Sequence, residues 1–150
     1  MSDNTESVLP TGAFDLSLVD ILSPSERGKP MELKHPNGQT YKTSAGLPVV
    51  INLMGRLAAP AVALQKKFNE EIAAIRNGGR QVEPDTLKQQ DTEYLTALTR
   101  SWNIEALDGE PFPCTPQNAR KLWEDARFSW VRQRALEFVL ADANFLTPPA

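Results

Sequence analysis

The sequence predicts an α+β fold that is mostly helical, with a small N-terminal β-hairpin or sheet followed by about four packed helices. Three observations predict it. Apolar and polar residues alternate from Pro30 toward Asn37-Gly38, apolar residues recur every three or four positions from Leu57 to Ile75, and Thr115-Pro116 opens a further helical stretch. The chain has 150 residues, 41% of them hydrophobic, which is enough to bury one core. One domain is therefore expected over 14–146, with 1–13 a disordered N-terminal arm and 147–150 a frayed C-terminus.

Taken in order, residues 1–13 are polar, small or turn-forming and offer little to bury. Phe14 to Leu22 is a short apolar segment compatible with a two-turn helix on Phe14, Leu18 and Ile21, or with an alternating strand. Ser23 to Gly28 combines proline and glycine with polar residues and should break whatever precedes it. Met31, Leu33 and His35 then alternate with Glu32 and Lys34 up to Pro36-Asn37-Gly38. Asn-Gly tolerates the positive φ angles of a tight hairpin, so Gln39 to Thr43 is expected as the return strand. The β-branched run within Leu47–Leu53 predicts a third strand against that hairpin.

Beyond Gly55, Leu57, Ala61, Leu64, Phe68, Ile72 and Ile75 fall on one face of an amphipathic helix that Asn77-Gly78-Gly79 should end. A second helix is expected from Pro84-Asp85, with Leu87, Tyr94, Leu98 and Trp102 on one stripe, widened by Leu95. Asp108 to Cys114 contains a turn dipeptide and two prolines and reads as an extended loop anchored by Phe112. Thr115 supplies an N-cap hydroxyl and Pro116 suits the first helical position, leading into Ala119, Leu122, Trp123 and Ala126. A fourth helix over roughly 127–141 carries Phe128, Val131, Ala135 and Phe138, with Trp130, Leu136 and Val139 broadening its apolar surface.

Composition excludes several classes of function. The net charge is -3 and the cations are scattered, so there is no basic stripe to displace counterions from a phosphate backbone, and no nucleic acid is expected as a partner. No stretch approaches the about 20 apolar residues of a membrane span, and the N-terminus lacks the pattern of a secretory signal; no membrane partner is expected. A single cysteine, Cys114, and a single histidine, His35, fall short of a structural zinc site, and a lone thiol fits a reducing interior. His35 sits beside a turn with no motif pointing to it, and Cys114 is explained by the cap that follows it. Asn77-Gly78-Gly79-Arg80 lacks the lysine and the strand-to-helix setting of a phosphate loop. The acidic residues do not recur with calcium-loop spacing. The reading is of a non-enzymatic chain with no cofactor and no metal.

What remains is apolar surface. Trp102 and Trp123 fall on inward stripes, but Trp130 lies off the Phe128, Val131, Ala135 and Phe138 line, so the last helix is apolar over more than one face. Trp130 and Phe138, with Leu18, Val19 and Leu22 near the N-terminus, are the candidate protein-binding residues.

The order of several short motifs carries a resemblance. These are Phe14-Asp-Leu, Met31-Glu-Leu-Lys-His-Pro-Asn-Gly38, Val49-Val-Ile-Asn-Leu-Met-Gly55, Leu98-Thr-Arg-Ser-Trp102, Asp108-Gly-Glu-Pro-Phe112, Thr115-Pro-Gln-Asn-Ala119 and the stretch from Phe138 to Phe145. Over about 14–146 the chain resembles the tail assembly chaperones of long-tailed bacteriophages. It departs from them at Arg56-Leu-Ala-Ala-Pro60, where family members often carry a polar or acidic residue with serine. The resemblance implies a chaperone in the host cytoplasm that binds the tape measure protein while the tail tube polymerises and is absent from the virion. The tail tube protein is a second candidate partner, a homo-oligomer is left open, and members are often made in two lengths by frameshifting. The competing reading is a structural virion component, such as a minor tail or tail-completion protein.

Overall fold

The structure, a computed structural model, describes residues 8–148. The first seven residues of the expected N-terminal arm and the last two of the expected frayed end lie outside the described residues. The fold is α+β and mostly helical. A three-stranded antiparallel sheet is formed by β1 (Lys29–Glu32), β2 (Val50–Leu53) and β3 (Thr99–Trp102), in the order β1-β2-β3. The helices are α1 (Leu22–Arg27), α2 (Ala59–Asn77), α3 (Pro84–Leu98), α4 (Pro116–Glu124) and α5 (Ser129–Leu140).

The N-terminal region corrects the sequence reading twice. Phe14 to Leu22 is neither a two-turn helix nor a strand: Leu16–Val19 forms one 3₁₀ turn, capped where the Asp15 carboxylate accepts from the Ser17 N–H at 2.9 Å. Ser23-Pro24 does not break the chain, since both lie inside α1. Pro24 is the third residue of that helix, where its missing N–H costs no hydrogen bond. The break falls at Gly28, whose φ of 88° only glycine adopts without strain.

The sheet also differs in its pairing. Asn37-Gly38 does form a turn, with the Gly38 N–H donating to His35 O at 2.7 Å and the His35 N–H to Gln39 O at 2.8 Å. The expected return strand nevertheless makes only isolated bridges, Lys34 to Thr40 and Lys42 to Pro48. The partner of β1 is β2, with Met31 opposite Ile51, because those two strands share a buried face on which Met31, Ile51 and Leu53 are all covered.

Trp102 is a further correction. It lies in β3, opposite Ile51, rather than on a helix stripe. The helix ends at Leu98, and Leu87, expected on the inward stripe, is exposed because burial on α3 begins only at Gln90. Trp102 is half-buried: its Nε1 donates to Phe112 O at 2.8 Å and its ring stacks on Phe112 at 5.1 Å. The expected loop at 108–114 begins as a two-stranded hairpin, β4 (Ala106–Leu107) and β5 (Glu110–Pro111). Its Asp108-Gly109 turn has φ of 51° and 81°, both positive as a two-residue hairpin of this twist requires. Phe112 is its buried anchor, as the sequence predicts.

The predicted start at Thr115 holds: its side chain accepts from the Asn118 N–H at 3.1 Å, with Pro116 in the first turn. The core lies where α3, α4 and α5 meet the inner face of the sheet, and its largest fully buried side chains are Trp123, Phe145, Ile51, Leu53, Leu95 and Leu98. Phe68, Tyr94, Leu98 and Leu122 are buried as expected, whereas Leu64 and Phe138 are half-buried against that core. At the junction of α1, the β2–α2 turn and the C-terminal 3₁₀ turn (Asp142–Phe145), Gly55 packs under Ser25 and Phe145. A Cβ on Gly55 would meet Ser25 Oγ at 2.5 Å and Phe145 at 3.2 Å.

Candidate functional site

Beside the buried face of α5 runs a stripe of Trp130, Arg134 and Phe138, four residues apart, and Ala141 follows just past the end of the helix. Val131, Ala135 and Val139 on the adjoining face are buried, so α5 is fastened to the molecule on one side and presents a second apolar side. That stripe faces β1 across an open groove of about 520 Å³, to whose lining Asn144 also contributes. Met31 and Leu33 floor it from the strand side.

The aromatic residues in the groove are held in place. The Arg134 guanidinium lies 5.7 Å from the centroid of the Trp130 ring, an arrangement attractive to the ring face and compatible with a protein surface. Phe138 meets Phe145 edge to face at 5.6 Å, and Phe145 is itself buried. The rim carries Glu32 and Lys34, 3.8 Å apart, together with Arg134 and Glu137, so its formal charges cancel. Trp130 and Phe138, named from the sequence, are thus brought together. Their partners Arg134, Ala141, Met31 and Leu33 were not, although the helical spacing of Arg134 and Ala141 with Trp130 was visible.

Leu18, Val19 and Leu22 are not part of this groove. They belong to a separate exposed stretch in which Val8, Leu9, Phe14 and Leu16 also face outward, with exposures from 49% to 91%. That density of uncovered apolar residues occurs nowhere else among the described residues.

A second cavity, of about 440 Å³, has no counterpart in the sequence reading. It lies between Leu33, Tyr41 and Val49 on the β side and Ile104, Leu107 and Phe128 on the other. Its wall is tied down by Arg127, which binds Asp108 at 2.9 Å and Asp125 at 2.7 Å; these bonds hold both carboxyls below the usual carboxylate range. Asn103 fastens the neighbouring turn, its Oδ1 accepting from the Val50 N–H and its Nδ2 donating to Pro48 O, each at 2.8 Å.

The two residues weighed for chemistry lie apart. His35 is exposed in its turn, its Nδ1 accepting from the Asn37 N–H at 3.0 Å. Cys114 stands before α4, and partial burial pushes its thiol above its ordinary pKa, the opposite of what a nucleophile requires. Among the described residues no group of three His, Cys, Asp or Glu side chains is placed to hold a metal ion, and no helix is long and apolar enough to cross a membrane. Compared with known proteins, the chain matches no family model, no curated protein and no solved structure.

Proposed function

We propose that this chain is a non-enzymatic tail assembly chaperone that binds the tape measure protein of a long-tailed bacteriophage and keeps it soluble in the host cytoplasm while the tail tube polymerises. The observation that carries the reading is the groove between α5 and β1, where Trp130 and Phe138 stand two turns apart on a helix already anchored by its other face. An unassembled tape measure protein is long, helical and aggregation-prone, and a groove of this kind accepts one apolar helix face. The exposed stretch from Leu18 to Leu22 is a second contact surface. Because the rim charges cancel, apolar burial dominates, and affinity changes little between low and moderate salt.

The test is co-expression with the tape measure protein of the same phage, followed by pull-down and a solubility assay. Trp130→Ala should weaken capture while the fold survives, whereas Trp123→Ala, which removes a fully buried side chain, should damage both. A tape measure protein that stays soluble alone and does not co-purify would defeat this reading, and detection of the chain at fixed copy number in purified particles would favour a structural virion component.

A further inference from the structure

The same groove has a second property: one of its walls is a free strand edge. In β2, the Val50 carbonyl accepts from the Asn103 N–H at 3.3 Å and the Val50 N–H donates to Asn103 Oδ1 at 2.8 Å, so both backbone groups of Val50 turn toward β3. The Glu32–Val50 pair is therefore one of the non-hydrogen-bonded pairs of the antiparallel ladder, and the N–H and C=O of Glu32 point away from β2. By the same alternation the carbonyl of Pro30 points outward. Among the described residues no strand lies on that side, since β1 is the edge of the sheet.

The dimensions of the two walls agree. Pro30 to Lys34 along the extended chain spans roughly 13 Å, at about 3.3 Å per residue, and Trp130 to Phe138 along α5 roughly 12 Å, at about 1.5 Å per residue. A free edge beside an apolar stripe of equal length fits an extended peptide, whose backbone pairs with β1 while alternate side chains enter the groove. Pro30 has no N–H, and Glu32 and Lys34 place charges on the outer face, which limits the edge to one short partner rather than an open stack.

The chain itself carries a segment of that description. Phe14, Leu16 and Leu18 alternate with Asp15 and Ser17, and all are exposed. Their one ordered element is the 3₁₀ turn, which buries no residue, so extending it costs little. The root of this segment is close to the groove: α1 and Phe145 pack together around Gly55, and Phe145 meets Phe138 edge to face. Two copies meeting at this end could reach each other's grooves over a short span.

We propose that the Phe14–Val19 segment of one copy adds as a fourth strand to the β1 edge of a second copy, with Phe14, Leu16 and Leu18 over the Trp130–Phe138 stripe, and that the exchange is reciprocal about a two-fold axis. The test is the mass of the full chain by sedimentation over the micromolar range, with no tape measure protein present, so that it stands apart from the function proposed above. Wild type should approach twice the 16.6 kDa of one chain. The double variant Leu16→Asp with Leu18→Asp, and separately Trp130→Ala, should each lose most of the dimer with unchanged circular dichroism. An equimolar mixture of the two should recover a one-sided pair, since the first retains its groove and the second its segment. Glu32→Pro, which removes an outward N–H that bonds to no strand, should also abolish dimer. Wild type that stays monomeric, a dimer indifferent to the segment substitutions, or a dimer lost by Trp130→Ala but kept by Glu32→Pro would each overturn strand exchange. A monomer whose Phe14–Val19 amides are protected would instead place the segment in its own groove and equally overturn it.

Discussion

The helical layer and the N-terminal stretch use apolar residues in opposite ways. In the layer formed by α3, α4 and α5, Leu95, Leu98, Leu122, Trp123, Val131 and Val139 are all buried against one another and the sheet. Between Val8 and Val19 a set of large apolar side chains is more than half exposed. Apolar content alone therefore does not distinguish residues that hold this fold from residues available to a partner; the covering elements do.

The sharpest test of that contrast is its largest effect. Trp123 is fully buried and its Nε1 donates to Thr99 Oγ1 at 3.0 Å. Trp123→Ala should cost about 3–5 kcal/mol in urea unfolding, and a loss under about 1 kcal/mol would erase the distinction. Next comes the joint between the two regions. Gly55→Ala forces a methyl into Ser25 and Phe145 and should cost about 1–3 kcal/mol. Ser25→Ala, which removes a buried hydroxyl with no partner, should be near neutral or stabilising; a larger loss from Ser25→Ala than from Gly55→Ala would contradict that packing.

A smaller effect comes from acid. Asp108 and Asp125 are held below the usual carboxylate range by their hydrogen bonds to Arg127. A depressed folded-state pKa contributes stability above the unfolded-state value and loses it as pH falls through the folded one. At pH below the usual carboxylate range the wild-type unfolding midpoint should therefore drop more than that of Arg127→Gln, although Asp108 is exposed and Asp125 only partly covered, so the gap should be modest. Equal acid sensitivity of the two proteins would leave these bonds without influence. Smallest of all, Phe14→Ser and Leu18→Ser should move monomer stability by under about 0.5 kcal/mol. A large destabilisation by either would mean that the stretch belongs to the core.

The same contrast explains what could be read in the sequence. The boundary at Thr115-Pro116, the long helix ending at Asn77 and the anchor Phe112 were legible because each rests on local chemistry: a hydroxyl cap, a glycine pair, an aromatic between prolines. Trp102 was not. Its spacing of four from Leu98 continues a helical stripe, and only pairing with Ile51, far along the chain, makes Thr99 to Trp102 a strand. Pro24 misled for the converse reason, since a proline that breaks a helix interior is harmless in a first turn. At the groove, Trp130 and Phe138 were legible from an apolar surface too broad for one face. The β1 wall was hidden, because the Asn37-Gly38 turn suggested that this strand was paired with 39–43.

The late arrival of β3 also gives the molecule a history. The side chains of Asn52 and Ser101 that bond across β2 and β3 at 2.7 Å are 49 residues apart, and all of α2 and α3 lies between them. At about 5–20 residues per second of synthesis, β2 waits roughly 2–10 s on the ribosome before the chain that completes its sheet has been made. During that interval β2 has β1 already made on one side and an unpaired edge on the other, held open until Thr99 to Trp102 has been added.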